Sequence, residues 1–169
     1  MREFAEWLQA TPVSETFQAV AWLIPLLQSI HIVTIGVVFV SSLMIALRVL
    51  GRIRTDEPFA AVWARFAPWM WSGLVVMVVS GVLLIVGEPV REFMTLSFWL
   101  KMALLAIVVV GTALLGRMLQ PATPAASPEF SGAARTAAIA IVVLWLAVIF
   151  LGRAIAYDVE VWGGLSPHT

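Results

Sequence analysis

Four long apolar blocks dominate this 169-residue sequence, and they cover residues 20–47, 69–86, 98–115 and 136–156. A helix needs about 20 apolar residues to cross the hydrocarbon core of a bilayer. The chain is 62% hydrophobic and 12% charged, whereas soluble domains are roughly 45–50% apolar and about 25% charged. The pattern predicts an all-α integral membrane protein, a four-helix bundle in which residues 1–169 form a single membrane domain.

Arginines in the connecting segments predict the orientation of the bundle, because positive charge is retained on the cytoplasmic side. Six of them lie on one side: Arg48, Arg52, Arg54, Arg65, Arg117 and Arg135. The opposite side carries only Arg2 and Arg91, set among acidic residues. We therefore expect a multi-pass protein of the bacterial inner membrane with both termini on the periplasmic side.

Two segments outside the apolar blocks, residues 1–17 and 120–134, have sequence patterns that predict their local structure. Residues 1–17 place Phe4, Trp7 and Leu8 on one side of a helical turn, which suits an amphipathic helix in the outer membrane interface. The alternative to this helix is a frayed terminus. The segment is not expected to be a cleavable signal peptide, because it lacks the apolar run and the cleavage site that such a peptide needs. Residues 120–134 contain spaced prolines, which predict a flexible cytoplasmic connector.

Composition excludes several function classes and partners. The absence of cysteine excludes disulfides, thiolate metal sites and cysteine nucleophiles. A net charge of zero without a basic run argues against nucleic acid as a partner. The expected partner is the lipid bilayer, and Gly73, Gly81 and Gly111 leave room for helix contacts in a homo-oligomer.

Three ionisable residues, His31, Lys101 and Arg153, lie inside the blocks, where such residues are costly and are often functional. His31 precedes Arg48 by 17 residues, or roughly 25 Å of helix, which places it in the outer half of the membrane. Lys101 and Arg153 each lie about one turn from the outer end of their blocks, and Gln28 lies one turn before His31. The sequence thus predicts one polar layer in the outer half of the bundle.

Each of these residues also has a structural interpretation. Lys101 and Arg153 can extend their long side chains to the headgroups, and Arg153 can pair with Asp158 or Glu160. His31 can remain a neutral imidazole that is hydrogen-bonded to Gln28, to Ser29 or to a backbone carbonyl. These alternatives stay open at the level of sequence.

The functional interpretation of the polar layer is a haem b site. A membrane imidazole can ligate a metal or relay protons. A non-haem metal needs further ligands, and none of the four blocks carries an Asp or Glu. Haem iron needs one strong axial ligand, here His31, and the two propionates need cations such as Lys101 and Arg153. The sixth ligand stays open between Lys101, Met102, Met77, His168, a partner subunit and none.

Two segments carry a resemblance to a known family. "SIHIVTIGVVFVSSLMIALRVLGR" and "FWLKMALLAIVVV" resemble helices of the J-type protoporphyrinogen oxidases, small four-helix membrane proteins that bind haem b. The resemblance implies that His31 and Lys101 are the functionally required pair, with Lys101 as the catalytic residue. The whole chain, including "PWMWSGLVVMVVSGVLLIVG" and "LGRAIAY", is still more similar to an uncharacterised bacterial four-helix membrane protein family. The wider group resembles the membrane part of copper-resistance D-type proteins.

The resulting expectation is a redox or electron-transfer protein that oxidises a tetrapyrrole or a quinol. His31 is its expected metal ligand, Gln28 is a further cofactor-binding residue, and Lys101 and Arg153 bind propionates or an anionic substrate. The alternative is a structural or transport subunit of a membrane complex without a cofactor, including a homo-oligomeric pore in which His31 relays protons.

Overall fold

The computed structural model describes residues 1–119 and 130–167, and within these ranges the regular structure is entirely helical. The helices in chain order are α1 (Arg2–Gln9), α2 (Pro12–Ala19), α3 (Leu23–Val49), α4 (Phe59–Gly87), α5 (Pro89–Phe93), α6 (Leu96–Leu119), α7 (Gly132–Ala154) and α8 (Asp158–Trp162). A 3₁₀ turn, Ile155–Tyr157, joins α7 to α8.

Four helical segments in the described residues are long and apolar enough to cross a membrane. They are α3, α4, α6 and the continuous stretch Gly132–Leu165 that contains α7 and α8. The prediction of an all-α protein with four membrane-spanning helices is confirmed. The side of the membrane on which the termini lie stays a prediction.

Three helices begin earlier than their apolar blocks, and α6 does so by only two residues. Helix α4 begins at Phe59 and continues through Pro68, because membrane helices tolerate proline inside a bundle. Helix α7 begins at Gly132, since the Oγ of Ser131 accepts a hydrogen bond from the Ala134 amide at 3.2 Å. Residues 132–134 therefore belong to a helix and not to the predicted connector, of which residues 120–129 lie outside the described ranges.

Helix α3 ends at Val49, and Gly51 makes the turn that follows it. Gly51 has a φ of +69°, a left-handed conformation that costs glycine little. This turn lets the Arg52 amide donate to Leu47 O at 2.9 Å and the Gly51 amide to Arg48 O at 3.1 Å. The two bonds satisfy carbonyls at the helix end, as in a Schellman motif.

The bundle consists of two helix pairs. Helix α3 packs along α4, and α6 packs along α7, while contacts between α3 and α7 join the pairs. Helices α4 and α6 meet only sparsely. The buried core includes Val38, Met70, Val108 and Trp145, which is 2% exposed and packs inside the bundle.

The predicted N-terminal amphipathic segment forms two helices, α1 and α2. Thr11 separates them, and its Oγ accepts a hydrogen bond from the Ser14 amide at 3.4 Å. Helix α1 packs on α5 through Phe4 and Phe93, whose ring centroids are 5.9 Å apart. Trp7 stays exposed, and the position of this segment in the membrane interface stays a prediction.

At the end of the bundle where α3 and α4 connect, charged side chains organise the loop. Buried Arg48 donates to the backbone oxygen of Glu57 through Nε at 3.1 Å and Nη2 at 2.7 Å. The Glu57 carboxylate pairs with Arg54 at 2.6 Å and with Arg65 at 3.1 Å. The hydrogen bond from Arg54 is the main reason why the pKa of Glu57 is lowered.

Candidate functional site

A cavity of about 310 Å³ lies between the two helix pairs, and α3 to α7 all contribute to its walls. Most of its lining is aliphatic, with Met77 and Met102 among the lining residues. All four residues that the sequence singled out line this cavity: Gln28, His31, Lys101 and Arg153. The helices thus bring the predicted polar layer together at one place.

The His31 imidazole is held by a residue from the neighbouring helix. Its Nδ1 lies 2.9 Å from the Oγ of Ser80 on α4. The Ser80 hydroxyl donates to backbone carbonyls of its own helix, Val76 O at 2.8 Å and Met77 O at 3.1 Å. Because the hydroxyl hydrogen is used in this way, we assign Nδ1–H as the donor to Ser80 Oγ. Of the predicted hydrogen-bond partners, the Gln28 and Ser29 side chains do not pair with His31 in the described residues, and Ser80 takes their place. The predicted backbone partner is found on α4, where the Met77 backbone forms a hydrogen bond with the imidazole.

No side chain within residues 1–119 and 130–167 pairs with the second ring nitrogen of His31, Nε2. In the assigned tautomer this nitrogen carries a lone pair. Space beside the ring comes from Gly81, where an added Cβ would lie 3.3 Å from His31 Cε1. The imidazole thus has one nitrogen anchored by a side chain and one nitrogen without a side-chain partner among these residues.

Lys101 is half-buried on α6 and lines the cavity. Its ammonium group lies beside Gly152 of α7, where an added Cβ would be 3.7 Å from Nζ. Lys101 interacts electrostatically with His31 and with Glu92. It forms no ion pair with a carboxylate among the described residues.

Arg153 lines the cavity but its side chain is exposed. The predicted pairing with Asp158 or Glu160 is not found. The Asp158 carboxylate instead accepts hydrogen bonds from the amides of Leu96 at 3.1 Å and Ser97 at 2.9 Å, at the start of α6. It also accepts one from the Oγ of Ser166 at 2.7 Å. Asp158 is thus a structural cap for the helix that carries Lys101.

Sequence reasoning missed two charged residues of the cavity, Arg91 and Glu92 on α5. Arg91 is paired with Glu88 at 2.8 Å. Burial raises the pKa of the Glu92 carboxyl, while Lys101 and Arg91 act in the opposite direction. Both residues lie in an acidic segment between two apolar blocks, and no sequence signal distinguishes them from solvated loop charges.

The cavity is open at the side of the bundle. Several of its apolar lining residues are strongly exposed, among them Ile32, Val78, Val82 and Met102. Val82 and Met102 belong to α4 and α6, the two helices that contact each other only sparsely. An apolar ligand can therefore approach from the lipid-facing surface.

Metal-ligating side chains do not cluster in the described part of the chain, where no three or more His, Asp or Glu residues come together. His168, one of the sixth-ligand candidates, lies outside the described residues. Met77 and Met102, two further candidates for the sixth ligand, line the same cavity as His31.

Fold and site together define a membrane protein with four spanning helices and a mostly apolar cavity that holds an imidazole, three cations and one carboxylate. Residues 3–158 match a family of unknown function, DUF6644, and the chain belongs to this family. Comparisons with the curated proteins and with the solved structures give no match.

Proposed function

We propose that this protein binds haem b in the cavity and acts in redox or electron-transfer chemistry within the membrane. His31 would be the axial ligand of the iron, and Lys101 and Arg153 would bind the propionates or an anionic substrate. The observation that carries the proposal is the His31 imidazole, anchored at Nδ1 by Ser80 and without a side-chain partner at Nε2 among the described residues. It lines a mostly apolar cavity together with two cations, Lys101 and Arg153, that form no ion pair within the described residues.

The hydrogen bond to Ser80 supports ligation through Nε2. Metal-ligating histidines commonly donate their other ring N–H to a neighbouring acceptor, which fixes the tautomer and the orientation of the ring. Ser80 supplies such an acceptor from α4, at 2.9 Å from Nδ1. Neutral imidazole with a lone pair on Nε2 is the form that binds iron.

The charges of the cavity match a ligand with two carboxylates. The charge of Arg91 is compensated by Glu88 at 2.8 Å. Lys101 and Arg153 have no carboxylate partner among the described residues, and both line the cavity. A dianionic ligand would thus provide these two cations with the ion-pair contacts that the described residues do not supply.

Space in the cavity also supports the proposal. Gly81 and Gly152 keep the surroundings of the imidazole and of the Lys101 ammonium clear, since a side chain at either position would approach these groups. The volume of about 310 Å³ lies at the lower end of the roughly 300–1,000 Å³ typical of small-molecule sites. A ligand larger than this volume can extend through the open side between α4 and α6.

Bound haem would supply one-electron redox chemistry that protein side chains lack. The chain itself would orient the ligand, neutralise its carboxylates and exclude water with the aliphatic walls. Its resemblance to J-type protoporphyrinogen oxidases supports a catalytic role for Lys101 and a tetrapyrrole or a quinol as substrate. The arginine distribution supports a location in the bacterial inner membrane with both termini in the periplasm.

Absorption spectra of the detergent-purified protein, oxidised and dithionite-reduced, test this proposal. We expect a Soret band and reduced α and β bands that His31→Ala abolishes. Ser29→Ala, at an exposed position of the same helix that does not line the cavity, is the matched control and should keep the spectrum. A colourless wild-type protein from haem-replete cells would overturn the haem proposal and favour a structural or transport subunit.

A further inference from the structure

Glu92 is the one carboxylic acid among the described residues that line the cavity. It lies on α5, the short helix between the second and third membrane-spanning helices. Lys101 lines the same cavity from α6. Glu92 therefore lines the cavity from the end of the bundle where α5 joins α4 to α6.

The charged groups around Glu92 come from several elements. Its own helix carries Arg91, which pairs with Glu88 at 2.8 Å. Helix α6 contributes Lys101, whose ammonium interacts electrostatically with Glu92 without forming an ion pair. Across the cavity lie His31 of α3 and Arg153 of α7.

Helices α1 and α4 also pack against α5. Helix α1 carries Glu3 and the pair Arg2–Glu6, all exposed, and residues 66–87 of α4 contain no charged side chain. Among the charged groups that act on Glu92, Lys101 is the one that comes from a membrane-spanning helix.

Glu92 is half-buried, as Glu57 and Glu88 are, whereas Glu3, Glu6, Glu15 and Glu160 are exposed. Removal from water disfavours the ionised form, so burial raises the pKa of Glu92 above the ordinary value of a glutamate. Lys101 and Arg91 lower this pKa, and Glu88 raises it further. A carboxyl of this kind takes up and releases protons closer to neutral pH than an exposed one.

We propose that Glu92 exchanges protons between the cavity and the aqueous phase at the α5 end of the bundle. A proton released by a ligand in the cavity binds to the Glu92 carboxylate and forms the carboxylic acid. The acid then releases the same proton to water and returns to the carboxylate. This inference rests on the proposed function only in assuming that the cavity holds a ligand that gains or loses protons.

An infrared pH titration of the purified protein tests the titration of Glu92 without any ligand. We expect a protonated carboxyl band that persists to a higher pH than those of exposed glutamates and is lost in Glu92→Gln. Glu15→Gln, at an exposed position of α2, is the control and should retain the band. Lys101→Met should shift the titration to higher pH, and Glu88→Gln should shift it to lower pH. A band unaffected by Glu92→Gln overturns the proposal.

The pH dependence of the haem midpoint potential tests the coupling to the cavity. We expect the potential of the wild-type protein to fall as the pH rises through the titration of Glu92, and Glu92→Gln to abolish this dependence. Glu92→Asp, which keeps a carboxyl, should restore it. An unchanged pH dependence in Glu92→Gln overturns the proposal. If the protein binds no haem, the proposed function fails, while the infrared titration still decides whether Glu92 is the titrating group.

Discussion

The Nδ1 of His31 and the Oγ of Ser80 lie 2.9 Å apart, although the two residues are separated by 49 positions in the chain. This contact joins α3 to α4 at the cavity and orients the imidazole. It connects the packing of the first helix pair directly to the candidate site.

Removal of the Ser80 hydroxyl should weaken haem binding without abolishing it. Loss of a hydrogen bond that orients a metal-ligating histidine typically costs about 10–100-fold in affinity, so we expect a decrease of this size in Ser80→Ala. A titration of the apoprotein with haem, followed at the Soret band, measures it. Ser72→Ala is the matched control, because Ser72 is exposed on the same helix and bonds only to Trp69 O. Equal affinities in the two variants would contradict the role of Ser80.

A side chain at Gly81 should close the space beside the imidazole. An added Cβ lies 3.3 Å from His31 Cε1, and the branches of valine would come closer still. We expect Gly81→Val to lose bound haem while its helix content, measured by circular dichroism, stays unchanged. Gly36→Val is the control, since nothing lies within 4 Å of a Cβ at that position of α3. Normal haem content in Gly81→Val would exclude this side of His31 as the binding face.

Removal of the Asp158 carboxylate should destabilise the start of α6. Its carboxylate accepts hydrogen bonds from the amides of Leu96 and Ser97 and thereby caps the start of this helix. Loss of a helix N-cap typically costs about 0.5–2 kcal/mol, so Asp158→Ala should lower the melting temperature in detergent. Amide exchange at Leu96 and Ser97 should accelerate. Glu160→Ala, at an exposed position of α8, should leave both readouts at the wild-type level, and a similar loss there would argue against a specific cap.

Neutralising Glu57 should remove a pH-dependent contribution to stability. The folded protein lowers the pKa of Glu57, chiefly through the hydrogen bond from Arg54. A lowered carboxyl pKa stabilises the fold above the unfolded-state pKa, and this contribution is lost as the pH falls through the folded-state pKa. Glu57→Gln should therefore melt below the wild type at neutral pH, and the difference should shrink on acidification. The effect should be small, because the pairs with Arg54 and Arg65 are solvent-accessible. Asp56→Asn is the neighbouring control, and a difference that grows in acid would contradict the assignment.

Much of the fold follows from the sequence because crossing a bilayer is a condition on short stretches of chain. Length and apolarity identify four spans, and the cost of ionisable groups in lipid singles out His31, Lys101 and Arg153. Helical rise places these residues at one depth. The three residues line one cavity, while the depth of this cavity in the membrane stays a prediction.

Only the tertiary structure decided which side chains meet at that depth. In a membrane protein the lipid-facing and the core-facing sides of a helix are both apolar, so the sequence pattern does not specify how each helix is rotated. Helix packing brings Ser80 to His31, places Glu92 at the cavity and directs Asp158 to the start of α6 instead of to Arg153. The sequence by itself thus determined the number of spans and the depth of the polar groups, while the rotation and pairing of the helices determined their partners.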